Sequence, residues 1–196
     1  MILMAFIILC GIKHCGKTTQ GRLLAEHFHC AFYDTDDVVM RLTGKSPRQI
    51  YTAQGAAKFM EHETAACRQI VDETPDEFAV VATGGGICNN DPALAILKRA
   101  GHIVFLQSEE RTAADRIVAE MTIDADGAVK NVPAYIASAN PQSEADVRAL
   151  FHDFYVRRTE KYRRLADVTV DMLPAEKDEN TLRIARAVRS FIPSRT

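Results

Sequence analysis

No C-x-x-C pair occurs in this 196-residue sequence. Its five cysteines, Cys10, Cys15, Cys30, Cys67 and Cys88, are odd in number and scattered. That excludes a patterned disulfide or zinc framework and points to reduced thiols in a cytoplasmic protein. Neither sign of charge is in excess, and the net charge is −2. A balance so near neutrality speaks against nucleic acid or an anionic membrane as the main partner. The apolar run LMAFIILC near the N-terminus is far short of the roughly 20 residues that cross a bilayer. It also lacks the basic flank of a secretory leader and passes straight into a glycine-rich loop, so a buried first strand is expected. Internal repeats, low-complexity tracts and long linkers are all missing. One α/β domain over residues 1–196 is expected, of a length that buries a substantial core.

What is present alternates between two periodicities. LMAFIILC reads as a central parallel strand covered on both faces. A helix is expected over 17–29 and a short strand at CAFYD. Helices follow over 37–43, 47–53 and 56–72. FAVVAT and HIVFLQ read as the third and fourth strands, with a helix over 109–120 after them. ADVTVD reads as a fifth strand and 178–191 as a closing helix. Strands alternating with helices imply a parallel sheet wrapped in helices. Residues 121–144 break the rhythm, being polar and rich in small residues, with Gly127, Pro133 and Pro141. The segment reads as a mobile lid or as a long surface loop.

The stretch GIKHCGKT, Gly11 to Thr18, satisfies G-x-x-x-x-G-K-[ST] between the first strand and the first helix. Gly11 and Gly16 permit backbone conformations and close approaches that a side chain blocks. The loop N–H groups then form an anion nest opening onto a helix N-terminus. Lys17 reaches the β- and γ-phosphates as a point charge, and the Thr18 hydroxyl is a ligand for Mg²⁺. The nucleotide-binding set is therefore Gly11, Lys13, His14, Cys15, Gly16, Lys17, Thr18 and Thr19, with ATP as the expected nucleotide.

Three further segments bear on where the phosphate goes. FYDTDD places Asp34 and Asp36 at the end of the second strand, where ligands of open α/β sheets gather. Asp34 reads as a partner of Mg²⁺ or its water shell. Asp36 reads as the carboxylate that orients an attacking hydroxyl or takes its proton. Helix N-capping, with Asp36 or Asp37 in a first turn, is the alternative. ATGGG ends the third strand with Gly84, Gly85 and Gly86, either a tight turn or a backbone that approaches a ligand. RRTEKYRR carries four arginines, at 157, 158, 163 and 164. Most read as solvated helix face, and one turned inward would clamp a carboxylate or phosphate.

Together these motifs resemble the shikimate kinase family, small P-loop kinases that phosphorylate the 3-hydroxyl of shikimate with MgATP. The resemblance runs through GIKHCGKTT, FYDTDD, SPRQIYTAQGAAKFMEHE, ATGGG and RRTEKYRRLADVTVD, so it covers most of the chain. It implies a P-loop kinase fold, a three-layer α/β/α sandwich around a five-stranded parallel sheet. It also implies a helical acceptor-binding segment and a lid that closes over ATP. Carried over by position, Asp34 resembles the residue associated with Mg²⁺ and Asp36 the one touching the shikimate hydroxyls. Gly84, Gly85 and Gly86 match the backbone that approaches the acceptor. Arg158 matches one of the arginines that grip the shikimate carboxylate.

Two positions depart from the family. Its F-R-x-x-E reads Phe59, Met60, Glu61, His62, Glu63 here, so a methionine stands where the second gripping arginine is expected. The lid's Arg-Pro-Leu-Leu reads Val132, Pro133, Ala134, Tyr135, after an extra stretch around 124–131. His14 also stands where many members have glycine. Each lost charged contact is worth roughly 1.5–3 kcal/mol, on the order of ten- to a hundred-fold in affinity or rate. Lys58, Arg116, Lys130 and Arg148 are the cations that could replace the missing arginines. The leading expectation is an ATP-dependent shikimate kinase acting as a monomer. A kinase of similar build for another hydroxylated acid, such as gluconate, is the alternative. A low-turnover nucleotide-binding regulatory module is disfavoured by Lys17, Thr18, Asp34 and Asp36 occurring together.

Overall fold

The computed structural model describes residues 6–75, 77–174 and 176–192. Leu3 to Ala5 of the first apolar run lie outside them. The run FIILC forms β1 (Phe6–Cys10), and all five of its residues are buried. The chain continues through α1 (Lys17–Phe28), β2 (Ala31–Asp34), α2 (Thr35–Thr43), α3 (Pro47–Glu73) and β3 (Ala79–Ala82). Next come α4 (Asp91–Ala100), β4 (Gly101–Ser108) and α5 (Glu110–Glu120). A short hairpin of β5 (Thr122–Ile123) and β6 (Val129–Lys130) leads to α6 (Ala134–Ala137). The long α7 (Glu144–Leu165), β7 (Val168–Met172) and α8 (Lys177–Ala187) complete the order.

The five main strands form one sheet in the order β2-β3-β1-β4-β7, and every neighbouring pair is parallel. In β1 and β3 side chains of both orientations are buried. Helices therefore cover both faces, giving three α/β/α layers. The register sets the functional edge. Leu9 and Asp34 both pair with Ala82, so β1, β2 and β3 end at one level. The chain leaves β1 for β2 and β3 on one side, then crosses to β4 on the other. The C-terminal end of β1 is thus the switch point where open α/β sheets bind ligands.

The expected break between residues 53 and 56 lies within α3. Gly55 adopts φ 83°, ψ 174° there, a left-sided conformation that a Cβ disfavours. The break has a packing consequence. A straight helix separates residues eight apart by about 12 Å, yet the Tyr51 and Phe59 rings lie 6.4 Å apart. Ser46 and Gln49 close the N-terminus of α3 with a reciprocal capping box, which satisfies two otherwise unpaired N–H groups.

Two helices go beyond the sequence reading. α4 follows an Asn90 cap whose side chain accepts from the Ala93 N–H. α7 begins at a Ser143 cap and runs for 22 residues into the arginine-rich stretch. The segment over 121–144 is not featureless either. Its hairpin strand β5 is exposed, while Val132 and Ile136 are buried in the core.

Candidate active site

Beyond β1 the loop over 11–16 turns back into α1. Gly16 takes φ 94° immediately before the helix, and His14 is also left-handed at φ 65°. Lys17 is only 8% exposed. Its Nζ donates to the Ile12 carbonyl at 2.8 Å and lies 3.8 Å from the Cys15 Sγ. An ammonium has three donors, so capacity remains for an anion above the loop. A cavity of about 270 Å³ opens beside it, lined among others by Cys15, Gly16, Thr19, Ser108 and Arg116. Arg116 donates to the His14 carbonyl at 2.5 Å and so ties α5 to the loop. Burial holds the His14 imidazole below its ordinary pKa, and the Lys13 charge adds to this against the pull of Glu120.

Asp34 closes β2 and starts α2. Its Oδ1 accepts the Asp36 N–H at 3.0 Å, and its Oδ2 accepts the Thr18 hydroxyl at 2.7 Å. The helix cap and the contact to Thr18 therefore fall on different oxygens of one carboxylate. Among the described residues no cluster of three or more His, Cys, Asp or Glu is placed to hold a metal ion. One carboxylate beside one hydroxyl, on a phosphate loop, is the donor set that suits Mg²⁺, which keeps several waters and takes phosphate oxygens.

A second cavity, of about 280 Å³, lies on the other side of the loop and is lined among others by Lys13, Asp36, Arg48, Gly85, Tyr135 and Arg158. The glycines after β3 let this wall close. A Cβ on Gly84 would stand 2.9 Å from the Glu63 Oε1 and 3.0 Å from the Asp36 Oδ1. A Cβ on Gly85 would stand 3.0 Å from the Lys13 nitrogen. Both carboxylate oxygens facing Gly84 are buried without a hydrogen-bond partner. Burial first, then the Asp34 charge, pushes Asp36 up to about 6, against Lys17 and Lys13. Burial also pushes Glu63 up to about 7, against the hydrogen bond that its Oε2 accepts from Asn90 at 2.8 Å.

Arg158 reaches this cavity from α7. It donates to the Gly85 carbonyl and its guanidinium lies 3.8 Å from the Phe154 ring centre. The Tyr135 ring stacks on Phe154 at 3.4 Å, so the start of α6 is laid against the same arginine. The Tyr162 hydroxyl donates to the Gly85 carbonyl at 3.0 Å. These contacts fix both the glycine backbone and the guanidinium beside it.

The structure thus places Gly11 through Thr19 around the strand–helix turn, and Asp36, Gly85, Gly86 and Arg158 around the second cavity. Lys13, read with the nucleotide loop, borders that second cavity. Three of the four cations suggested as replacements for the missing arginines are ion-paired with neighbouring carboxylates. Lys58 pairs with Glu61 at 2.6 Å, Lys130 with Asp124 at 3.5 Å, and Arg148 with Asp115 and Glu144 at 2.8 Å. Arg116 lines the cavity on the nucleotide side. The sequence reading missed Arg48 and Tyr51, which line the second cavity with Pro47. Their i, i+3 and i, i+4 spacing at a helix start is the signal that places them on one face. It also missed the buried Glu63–Asn90 contact.

A phosphate loop at the switch point of a parallel sheet, an acidic residue bonded to its threonine and a separate polar cavity define a P-loop phosphotransferase. The sequence profile of the family described as shikimate kinase matches residues 13–189, and the chain belongs to that family. A shikimate kinase from Thiobacillus denitrificans is 33% identical over 84% of this chain and 80% of its own length. One from Syntrophus aciditrophicus is 31% identical over 84% and 81%. A shikimate kinase from Acinetobacter baumannii, solved in complex with shikimate, superposes with a TM-score of 0.76 at 27% identity, covering 95% of this chain and 93% of that one. A Bacteroides thetaiotaomicron shikimate kinase shares the fold, with a TM-score of 0.74 at 20% identity over 93% and 97%.

Proposed function

We propose that this chain transfers the γ-phosphate of ATP to the 3-hydroxyl of shikimate. The observation that carries the reading is the convergence of Asp36, Gly85 and Arg158 on one cavity directly beside the phosphate loop. The loop N–H groups and Lys17 bind the β- and γ-phosphates and orient them. Thr18 and Asp34 would hold Mg²⁺. Bound between them, the metal would supply positive charge against the phosphates.

Asp36 orients the acceptor hydroxyl toward the γ-phosphorus and takes its proton. The bond from that oxygen to phosphorus forms as the bond to the β-phosphate oxygen breaks, and ADP leaves with the electron pair. Lys17 compensates negative charge on the moving group. Most of the acceleration in such a site comes from positioning and fixed charge. Arg158 binds the acceptor's carboxylate at the far end from the reacting hydroxyl, which fixes which hydroxyl faces the loop. Residues over 121–144 act as the lid that excludes water.

Met60 and Val132 favour one second reading, a kinase of the same build for another hydroxylated acid. ADP release measured with shikimate, quinate and gluconate in turn decides between them. Release dependent on shikimate is expected. Release only with another acid moves the acceptor, and ATP binding without any release moves the protein to a regulatory role. A cytoplasmic monomer fits this reading, and no helix among the described residues is long and apolar enough to cross a membrane.

A further inference from the structure

An acid bound through one guanidinium has a single cation to hold it, and the second family arginine is Met60 here. Position 60 supplies no substitute. Met60 is not among the residues that line the acceptor cavity, and its carbonyl is engaged by the Thr64 hydroxyl and the Asn90 amide. Three cations do line the cavity: Lys13, Arg48 and Arg158. Lys13 sits on the phosphate loop and Arg158 is stacked on Phe154 beside Gly85. Arg48 alone comes from the α3 wall.

The setting of Arg48 is hard to explain by stability. It is exposed in the first turn of α3, where a cation opposes the helix dipole. Among the described residues it makes no hydrogen bond and no ion pair. Its base is nevertheless fixed. The Ser46–Gln49 capping box holds the turn, and Ile50 anchors it in the core at 0% exposure. A free guanidinium on a rigid turn, at the edge of a cavity for an acid, offers the planar two-point fork that a carboxylate takes.

We propose that Arg48 binds the carboxylate of the acceptor together with Arg158, in place of the arginine that Met60 replaces. The proposal rests on the reading of this cavity as the acceptor site for shikimate. It relocates half of the carboxylate grip from the middle of α3 to its first turn, ahead of the Gly55 break. The acceptor's acid end is then bound between α3 and α7.

The test is steady-state kinetics of the unmodified chain, Arg48→Gln and Arg48→Lys, with shikimate and with its uncharged methyl ester. With shikimate, Arg48→Gln is expected to raise KM at least about tenfold, the range of a lost charged hydrogen bond, with the KM for ATP within about twofold. With the ester the same substitution is expected to change KM less than about twofold, because no charge is left to bind. Arg48→Lys is expected to restore part of the loss. An unchanged KM for shikimate, or an equal rise with acid and ester, overturns the assignment of Arg48 while leaving the kinase reading in place. Absence of shikimate-dependent ADP release by the unmodified chain overturns shikimate as the acceptor and the proposal with it.

Discussion

The Thr18 hydroxyl donates to the Asp34 Oδ2 at 2.7 Å, joining the first turn of α1 to the end of β2. The second Asp34 oxygen caps α2 through the Asp36 N–H. Asparagine caps a helix about as well as aspartate, so Asp34→Asn separates the two roles. Stability is expected to change by less than about 0.5 kcal/mol. The Mg²⁺ concentration for half-maximal activity is expected to rise at least about tenfold, because an amide lacks the charge that holds a hard cation. Activity titrated against Mg²⁺ checks this. An unchanged titration would return Asp34 to the status of a cap.

Lys17→Met keeps an unbranched chain of similar length and removes the ammonium. The site is buried, and Nζ donates to the Ile12 carbonyl and lies 3.8 Å from the Cys15 Sγ. Turnover is expected to fall at least about a hundredfold, the cost of removing a donor aimed at transition-state charge. Loss of the internal bond is expected to cost about 1 kcal/mol of stability. Single-turnover ADP formation and thermal unfolding measure the two separately. Turnover within a few-fold of the unmodified chain would remove Lys17 from the phosphate-binding machinery.

The phosphate loop, the acidic pair and the alternation of parallel strands with helices were legible because their signals are local. A buried strand, a glycine loop and a capped helix follow one another within about thirty residues, as a βα unit requires. The acceptor half was less legible for a physical reason. Membership of that cavity is decided by tertiary packing, through the Gly55 break and the docking of α7. α7 itself has a sparse buried face, Val147, Phe151, Thr159 and Tyr162, within a charge-rich run that hides its periodicity. The signal for α4 was present in Asn90, Pro92 and the buried Ala93, Leu94, Leu97 and Ala100, but it is short and follows directly on the glycine turn. Arg48 and the three ion-paired cations Lys58, Lys130 and Arg148 look alike in sequence. Only the structure separates the one without a partner from those already engaged.

Glu63 gives the fold a pH dependence of known sign. It is 1% exposed, with Asn90 on Oε2, the Asp36 and Arg158 charges nearby, and the Cys67 thiol along α3. Its folded value of about 7 lies above the ordinary 4.5. Between those values the folded chain keeps a proton that the unfolded chain has released. This contribution is therefore fully present below about pH 4.5 and is lost as pH rises through about 7. The loss is on the order of 3 kcal/mol. Glu63→Gln keeps the acceptor for Asn90 and cannot ionise. It is expected to be more stable than the unmodified chain at about pH 8 and similar at about pH 4.5, with a flatter profile between. Urea unfolding across this range is the measurement, and superimposable profiles would dismiss a buried, protonated Glu63.

The segment over 121–144 is expected to exchange its amides unevenly. The turn after β5 is exposed, and its Asp124 side chain accepts the Asp126 and Ala128 N–H groups locally. Val132 and Ile136 are buried, and Tyr135 is stacked on Phe154. Amides of residues 124–128 are therefore expected to exchange fastest, and those around α6 to be slower because they are docked. Addition of a nonhydrolysable ATP analogue with shikimate is expected to slow the whole of 121–144, since a phosphoryl-transfer site must exclude water. Exchange that ignores both ligands would make the segment a passive loop.

Arg158 joins α7 to the Gly85 carbonyl and to the Tyr135 ring. Its guanidinium carbon lies over the Phe154 ring at 3.8 Å and over the Tyr135 ring at 5.7 Å, while one nitrogen donates to the Gly85 carbonyl. The stack leaves the remaining donors in one plane, and a lysine reproduces the charge but not that plane. Arg158→Ala is expected to raise the KM for shikimate at least about tenfold, with a smaller effect on ATP. Arg158→Lys is expected to recover only part of that, because the planar two-point contact stays lost. Gly85 also loses a donor in both variants, and the Tyr162 hydroxyl still holds its carbonyl at 3.0 Å, so the glycine wall is expected to stay in place. Kinetics with both substrates, beside thermal unfolding of each variant, separates binding from folding. A KM for shikimate that does not move in Arg158→Ala, in a chain that remains folded, would place the carboxylate elsewhere in the cavity and leave this arginine a strut for α6.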